Sequence, residues 1–344
     1  MQMITEAEFR KQLKSGLKGG YLFFGDEDYL KGIDLDGARK LISPDEAFSF
    51  FNDLRLDAIT FSPEKLLDAL MPLPMGSEQK IVSVSGLSLS AMRPSEIEAL
   101  TDALAALNEY DYNVLILSVP AGMLDPGILP KRPSALLQKL AEYLTPVHFE
   151  RSTPAKLALW CEKHFRHVGV SATPDICRAL IDQCGSDMFI LANEVDKISY
   201  YVLSDGRSAV MMDDIRYVAI TSAEYDAFAF ANALTEGRQA DALLVLGDMK
   251  RRRVEPIAAL SEIVRVFCDL YTVLACTEDG KSVQEIRAET KMHEYRIGLY
   301  QRSARASGRD RLLRALSLLA EADALLKRSP SDGYAAIERL ICSL

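Results

Sequence analysis

Residues Tyr21 to Leu30, YLFFGDEDYL, constrain the start of this chain more than any other stretch. Tyr21 to Phe24 read as a buried strand, and Gly25 breaks that strand ahead of the acidic helix start Asp26-Glu27-Asp28. Strand, glycine and helix are the outline of a nucleotide-binding fold. A phosphate loop at this point would read G-x-x-x-x-G-K-[ST], with backbone N–H groups and a lysine closing on phosphate. Here three carboxylates stand where a triphosphate would sit, and at close range they would repel it by roughly several kcal/mol. The segment predicts a nucleotide-binding scaffold that has lost its nucleotide site and works by binding partners.

The surrounding pattern supports a layered sheet. The first ~150 residues alternate strand-like runs (Tyr21–Phe24, Phe48–Leu56, Lys80–Val84, Tyr112–Val119, Pro146–Phe149) with helical patterns (Tyr29–Leu41, Pro63–Met71, Pro94–Leu107, Pro133–Tyr143). Ser62-Pro63 is a cap followed by proline at the first helical position. The runs YNVLILSV and KIVSV are almost continuously apolar, as expected of parallel strands covered on both faces. Near Arg151 the pattern changes. Thr153-Pro154 opens a helix to about Val168, Thr173-Pro174 opens another to Cys184, and Asp187–Tyr201 is a third. From about Glu224 the chain reads as helix throughout (224–235, 238–250, 255–275, 282–289, 293–306, 309–327 and 332–342), punctuated by Gly237, Glu255-Pro256, Gly280, Gly308 and Pro330. The expected fold is α/β followed by all-α, with domains at 1–150, 151–215 and 216–344. A chain of 344 residues has room for two or three domains.

Charge narrows the partners. Of 40 basic and 49 acidic residues, 19 and 18 fall within 216–344, so the first 215 hold 21 and 31, a net charge of −10. An acidic N-terminal part is a poor primary binder of nucleic acid. No apolar run approaches the ~20 residues of a membrane span, and the start MQMITEAEFRKQL has no apolar signal core. Six cysteines without a C-x-x-C pair fit reduced thiols, so a cytoplasmic protein is expected.

Catalytic signatures are weak. Ala275-Cys276-Thr277-Glu278-Asp279-Gly280-Lys281-Ser282 satisfies a relaxed phosphate-loop pattern, which would make the chain a divergent ATPase. A long helical pattern precedes it where a strand is required, so it reads as a helix-ending turn with Gly280 as the stop and Ser282 as the next cap. Strand 112–119 does not end in the acidic pair that would hold magnesium. Cys161, His164 and His167, with Cys177 and Cys184 downstream, lack standard zinc spacing, and Trp160 and Phe165 mark their helix as partly buried. No Ser/His/Asp or Cys/His arrangement stands out. No catalytic residue, cofactor or metal is assigned.

Two basic clusters remain. Lys250 to Arg253 ends a helix, where positive charge complements the dipole. Arg296, Arg302, Arg305 and Arg309, with Tyr295 and Tyr300 nearby, are candidates for contact with DNA or a neighbouring subunit, although Gly308 interrupts the face that the last three would share.

The stretch Leu70-Met71-Pro72-Leu73-Pro74-Met75-Gly76-Ser77 follows helix 63–71. Two prolines and a glycine prevent it from extending either flanking element, so it presents Leu73 and Met75 on a loop. An apolar side chain inserted from there into a partner's pocket contributes ~1.5–3 kcal/mol. The alternative is that both tuck into the core beneath the loop.

Together these residues resemble the delta-subunit family of bacterial DNA polymerase III. The similarity runs through YLFFGDEDYL, LPMGSEQKIVSV, Trp160…Phe165…Gly169-Val170, GSDMFILANEVDKISYY, AFAFANAL and RRVEPIAALSEIVRVF. It implies an AAA+-like α/β domain without a working ATP site, a small helical lid and a helical collar. It also implies a role: a non-catalytic clamp-loader subunit, part of a DNA-directed DNA polymerase (nucleotidyltransferase) holoenzyme, that binds and opens the sliding clamp for loading on primed DNA during replication. The implied neighbours are the gamma/tau and delta-prime subunits, with no membrane partner. The family's clamp-binding apolar pair falls by position on Leu73 and Met75, with Met71 beside them and Pro74 and Gly76 shaping the loop. Many relatives carry an aromatic residue in this pair, and methionine, being flexible, is a tolerable substitute. A delta-prime-like stator would show a zinc-binding cysteine cluster and a Ser-Arg-Cys motif, neither of which is found.

Overall fold

The computed structural model describes residues 3–290, Met292, 294–328 and 333–343. Pro330 and the side chain of Tyr295 lie outside the described residues. The chain divides into two compact units, Met1–Thr153 and Pro154–Leu344.

The first unit contains β1 (Ile4–Thr5), α1 (Glu6–Ser15), β2 (Gly19–Gly25), α2 (Asp28–Ile42), α3 (Ser49–Asn52), β3 (Asp53–Asp57), α4 (Pro63–Leu70) and β4 (Lys80–Ser85). It continues with α5 (Pro94–Ala105), β5 (Asn113–Ser118), the small hairpin β6 (Gly127–Ile128) and β7 (Arg132–Pro133), α6 (Ala135–Leu140) and β8 (Thr145–Phe149). Six strands form one sheet in the order β1-β8-β2-β5-β4-β3, every pairing parallel. This is the parallel α/β layering expected of the first ~150 residues. The strand order reverses beside β2, and in such sheets the crevice beyond the strand C-termini at that point is the usual ligand site.

Side-chain alternation explains the two covered faces. Leu22 and Phe24 join Val82, Val84, Leu115 and Leu117 in a core roofed by Leu66 and Leu70 of α4, Leu100 and Leu104 of α5 and Leu137 and Leu140 of α6. Tyr21 and Phe23 point the other way, where Phe9 of α1 packs edge-on against both at 5.2 and 4.8 Å and Phe23 meets Phe149 at 4.9 Å. Hydrophobic burial at ~25 cal/mol per Å² drives this layering.

One expectation needs correction. Phe48–Leu56 is not a single strand, because Glu46–Phe48 forms a 3₁₀ turn, Ser49–Asn52 a helical turn, and only Asp53–Asp57 joins the sheet. The Asp45 side chain accepts from Ala47 N and Ser49 Oγ donates to Glu46 O, so local capping outweighs aromatic β-propensity. Helix α1 was also missed, although Thr5 and Glu8 form a reciprocal capping box.

The second unit is helical: α7 (Pro154–Val168), α8 (Pro174–Cys184), α9 (Met188–Ser204), α10 (Met212–Val218), α11 (Ala223–Thr235), α12 (Gln239–Arg251), α13 (Pro256–Glu278), α14 (Val283–Thr290), α15 (Glu294–Ser307), α16 (Arg309–Arg328) and α17 (Gly333–Ser343). Helix α10 falls between 201 and 224, where the sequence pattern assigned no helix. Cys161, Cys177 and Cys184 are core residues. Burial pushes their thiols up to about 12, 11 and 12 respectively, which leaves them protonated and inert near neutrality. Helix α13 packs on α11, α15, α16 and α17. Its Ile263, Phe267 and Leu270 share a core with Phe230, Ile297, Leu319 and Ile337. No helix among the described residues is long and apolar enough to cross a membrane.

Candidate functional site

The crevice at the end of β2 is occupied by the chain's own groups. Gly25 has φ of +110°, and a Cβ there would lie 2.4 Å from Phe149 O, so only glycine fits. The amides of Asp26 and Glu27, which a phosphate loop would aim at its ligand, both donate to Phe149 O at 2.9 and 3.3 Å. The Glu27 carboxylate is buried and accepts from Ser152 N at 3.2 Å. The Asp28 carboxylate accepts from Ala121 N at 3.1 Å and pairs with Lys31 at 2.6 Å. Lys31 is buried and donates to Gly25 O and Val119 O at 2.8 and 2.7 Å, joining the ends of β2 and β5. Two of the predicted carboxylates therefore satisfy protein groups rather than facing an open cradle.

The relaxed motif at 275–282 sits at the C-terminus of α13. Lys281 is held by both carboxylate oxygens of Glu289 at 2.7 and 2.8 Å. Ser282 and Glu285 cap the next helix reciprocally. The segment is the helix–turn–helix that the spacing predicted.

The loop after α4 is built differently. Helix α4 starts on the Ser62 cap, which accepts from Lys65 N at 3.2 Å, and its last backbone bond is Met71 N to Leu67 O at 2.9 Å. Pro72 and Pro74 have no N–H, so the chain cannot cap the helix end by the usual backbone turn. Side chains from the sheet supply the donors instead. Lys80 Nζ donates to Ala69 O at 2.6 Å and Pro72 O at 2.5 Å, Asn113 Nδ2 to Leu70 O at 3.0 Å, and the Tyr112 hydroxyl to Met71 O at 2.5 Å. Parallel register makes this possible, because Lys80 of β4 lies opposite Asn113 of β5 and both project toward α4. A buried carbonyl left bare would cost ~1–3 kcal/mol. Lys80 is fully buried above the Tyr112 ring, and burial lowers its pKa to about 8.

Further along, the buried Asn52 side chain treats Met75 as a strand neighbour, donating to its O at 2.7 Å and accepting from its N at 2.9 Å. Gly76 has φ of +67°, and a Cβ there would press on the Phe48 ring at 3.2 Å. The backbone is thereby pinned at both ends while the side chains are not. Leu73 is 75% exposed, Met71 53% and Met75 44%; Pro74 is half-buried. Next to this tip an open groove of about 370 Å³ is lined by Phe50, Phe51, Leu54, Leu56, Ala69 and Pro72, with Phe50 81% exposed. Sequence reasoning missed both the groove and the pinning residues. Reading 48–56 as a strand hid Phe50, Phe51 and Asn52, while Lys80 passed as the first residue of an apolar run. The two prolines did signal that outside donors were needed, but not which ones.

The arginines divide into two pairs. Arg296 is tied into the bundle by Asp269 at 3.0 Å and by the Tyr300 hydroxyl at 2.9 Å. Arg309 pairs with Glu278 at 3.0 Å and meets Tyr271. Arg302 and Arg305 are exposed on α15, which ends before Gly308, so Arg309 belongs to the following helix.

Comparison with known proteins adds the following. Residues 224–344 match the family described as DNA polymerase III delta subunit, C-terminal domain. The DNA polymerase III subunit delta of Bacillus subtilis (strain 168) is 21% identical over 344 residues, covering 97% of this chain and 95% of that protein. The solved structure of the Bacillus subtilis DNA clamp loader delta protein is similar with a TM-score of 0.65 and 19% identity, covering 98% of each chain.

Proposed function

From the premise that residues 224–344 belong to the DNA polymerase III delta C-terminal domain family, and that the chain resembles a delta subunit along nearly its whole length, we propose that this protein is the clamp-opening subunit of a clamp loader. It binds a ring-shaped sliding clamp through Leu73 and Met75, with Met71 contributing, on a tip shaped by Pro74 and Gly76. The observation that carries this reading is the tip itself, a backbone pinned by Asn52, Lys80, Tyr112 and Asn113 that leaves large apolar side chains in water. A loop ordered before binding spends little of its interaction energy on ordering, so the contact area converts efficiently to affinity.

Opening follows from differential binding. A rigid tip that fits the clamp only when one ring interface is sprung shifts the ring toward that state by the difference in affinity, with no chemistry in this chain. The self-filled crevice supports a non-catalytic role. We assign 1–150 to the clamp-binding domain, 151–215 to a lid and 216–344 to a collar that assembles with gamma/tau and delta-prime subunits. Primed DNA is met through the assembled complex. Arg302 and Arg305, exposed on α15, are the better candidates for DNA or subunit contact, since Arg296 and Arg309 already serve the bundle. The test is clamp titration with Leu73→Ala/Met75→Ala. Binding should fall at least tenfold with thermal unfolding nearly unchanged; unchanged binding would remove the assignment.

A further inference from the structure

Helix α4 ends where backbone capping is unavailable, and the deepest of its replacement donors is a lysine. Lys80 reaches the carbonyl of Ala69, in the last turn of α4, and that of Pro72, which immediately precedes Leu73. Asn113 and Tyr112 hold the two carbonyls between them. All three donors start strands β4 and β5 or directly precede them, so the direction in which the chain leaves α4 is referred to the sheet rather than to the loop. Leu73 has no comparable hold of its own, since its side chain is exposed.

We infer that Lys80 is the positioning residue of the apolar tip: by bridging Ala69 O and Pro72 O it sets the direction in which Leu73 projects, and clamp affinity depends on Lys80 through Leu73. The inference rests on the clamp-binding reading of the loop and names what makes that loop competent. Lys80 touches no partner, because it is buried. The ammonium group is suited to this task, since one Nζ carries three donors and can serve two carbonyls at once. Methionine at this position would keep the length and apolar stem but donate nothing.

The experiment is a double-mutant cycle on the full chain, titrated with the sliding clamp from the same cell. Lys80→Met alone should weaken binding about tenfold or more, whereas in a Leu73→Ala background the same change should alter affinity less than twofold. Lys80→Arg, which keeps the charge and two or more donors, should recover most of the loss. A general destabilisation would instead lower affinity equally in both backgrounds, and that additive result overturns the inference, as does an unchanged Lys80→Met. If Leu73→Ala itself leaves affinity unaltered, it is the clamp-binding reading that has failed. A measurement without the clamp then still decides the positioning role. Amide exchange at Met71 and Met75 in the unbound chain should quicken at least tenfold in Lys80→Met, and unchanged protection refutes the role. Should Lys80→Met not fold, Tyr112→Phe removes the neighbouring donor at a partly exposed position. It should weaken binding two- to threefold only while Leu73 is present, and equal loss in both backgrounds counts against the inference.

Discussion

Two places in the first unit use one device to opposite ends. At the crevice, buried Lys31 binds Gly25 O and Val119 O and closes the space where a ligand would enter. At the tip, buried Lys80 binds Ala69 O and Pro72 O and holds a loop outward. The difference lies in what the neighbours supply. Lys31 is paired with Asp28, so its charge is balanced by a carboxylate that also satisfies Ala121 N. Lys80 sits among carbonyls and the face of Tyr112, and burial lowers its pKa to about 8. A filled site and a presented one can thus be told apart by whether the surrounding side chains turn inward on the backbone or leave apolar groups in solvent.

Breaking the crevice should have the largest effect on the fold. Lys31→Met strands two buried carbonyls and unpairs Asp28, and because Asp28 is partly exposed its own charge remains solvated. Loss of about 2–4 kcal/mol in urea unfolding is expected, with clamp affinity of the folded fraction unchanged. An affinity loss as large as that of a tip mutant would erase the distinction between the two regions. At the tip, Leu73→Ala should cost ~1.5–3 kcal/mol of clamp binding, read by titration, and less than ~0.5 kcal/mol of stability. Asn52→Ala, which frees Met75 N and O, should lower stability by roughly 1–2 kcal/mol and weaken binding by a smaller factor than Leu73→Ala.

The smallest expected effect is a pH dependence at Lys80. The folded pKa of Lys80 lies below its unfolded value of 10.5, so between about pH 8 and 10.5 the unfolded chain holds a proton that the folded chain has released. Stability contributed at this site therefore rises with pH through that window, and below pH 8 the buried charge is a constant cost. Wild type minus Lys80→Met, measured by denaturant unfolding from pH 7.5 to 10, should grow more favourable as pH rises. A flat or falling difference would show that the carbonyls compensate the ammonium fully.

Much of the architecture was legible from particular residues. Ser62-Pro63, Thr153-Pro154 and Thr173-Pro174 open helices where expected, because the pre-set φ of proline and, at Ser62 and Thr173, a side-chain cap are local properties. The apolar runs at 21–24, 80–84 and 112–119 become central strands, since residues buried on both faces leave no other reading. The region 46–52 defied the same logic. Its aromatic residues suit a strand, but a turn capped by Asp45 prevails, and that outcome decides where Phe50, Phe51 and Asn52 point. The fate of Asp26-Glu27-Asp28 was half legible. Charge alone argues against phosphate there, yet that these carboxylates serve Ser152, Ala121 and Lys31 depends on residues up to 125 positions away.

What the amino-acid order determines by itself is the periodicity, the caps, the acidity of the first 215 residues, and a loop that its prolines forbid from joining helix or strand. What only the folded chain decides is whether Leu73 and Met75 face inward or outward. Either outcome buries or presents the same greasy side chains, and the choice falls to donors on β4, β5 and α3 that reach the loop only after the sheet has set its register. Hydrogen bonds of that kind join residues distant in sequence, and no local pattern encodes them.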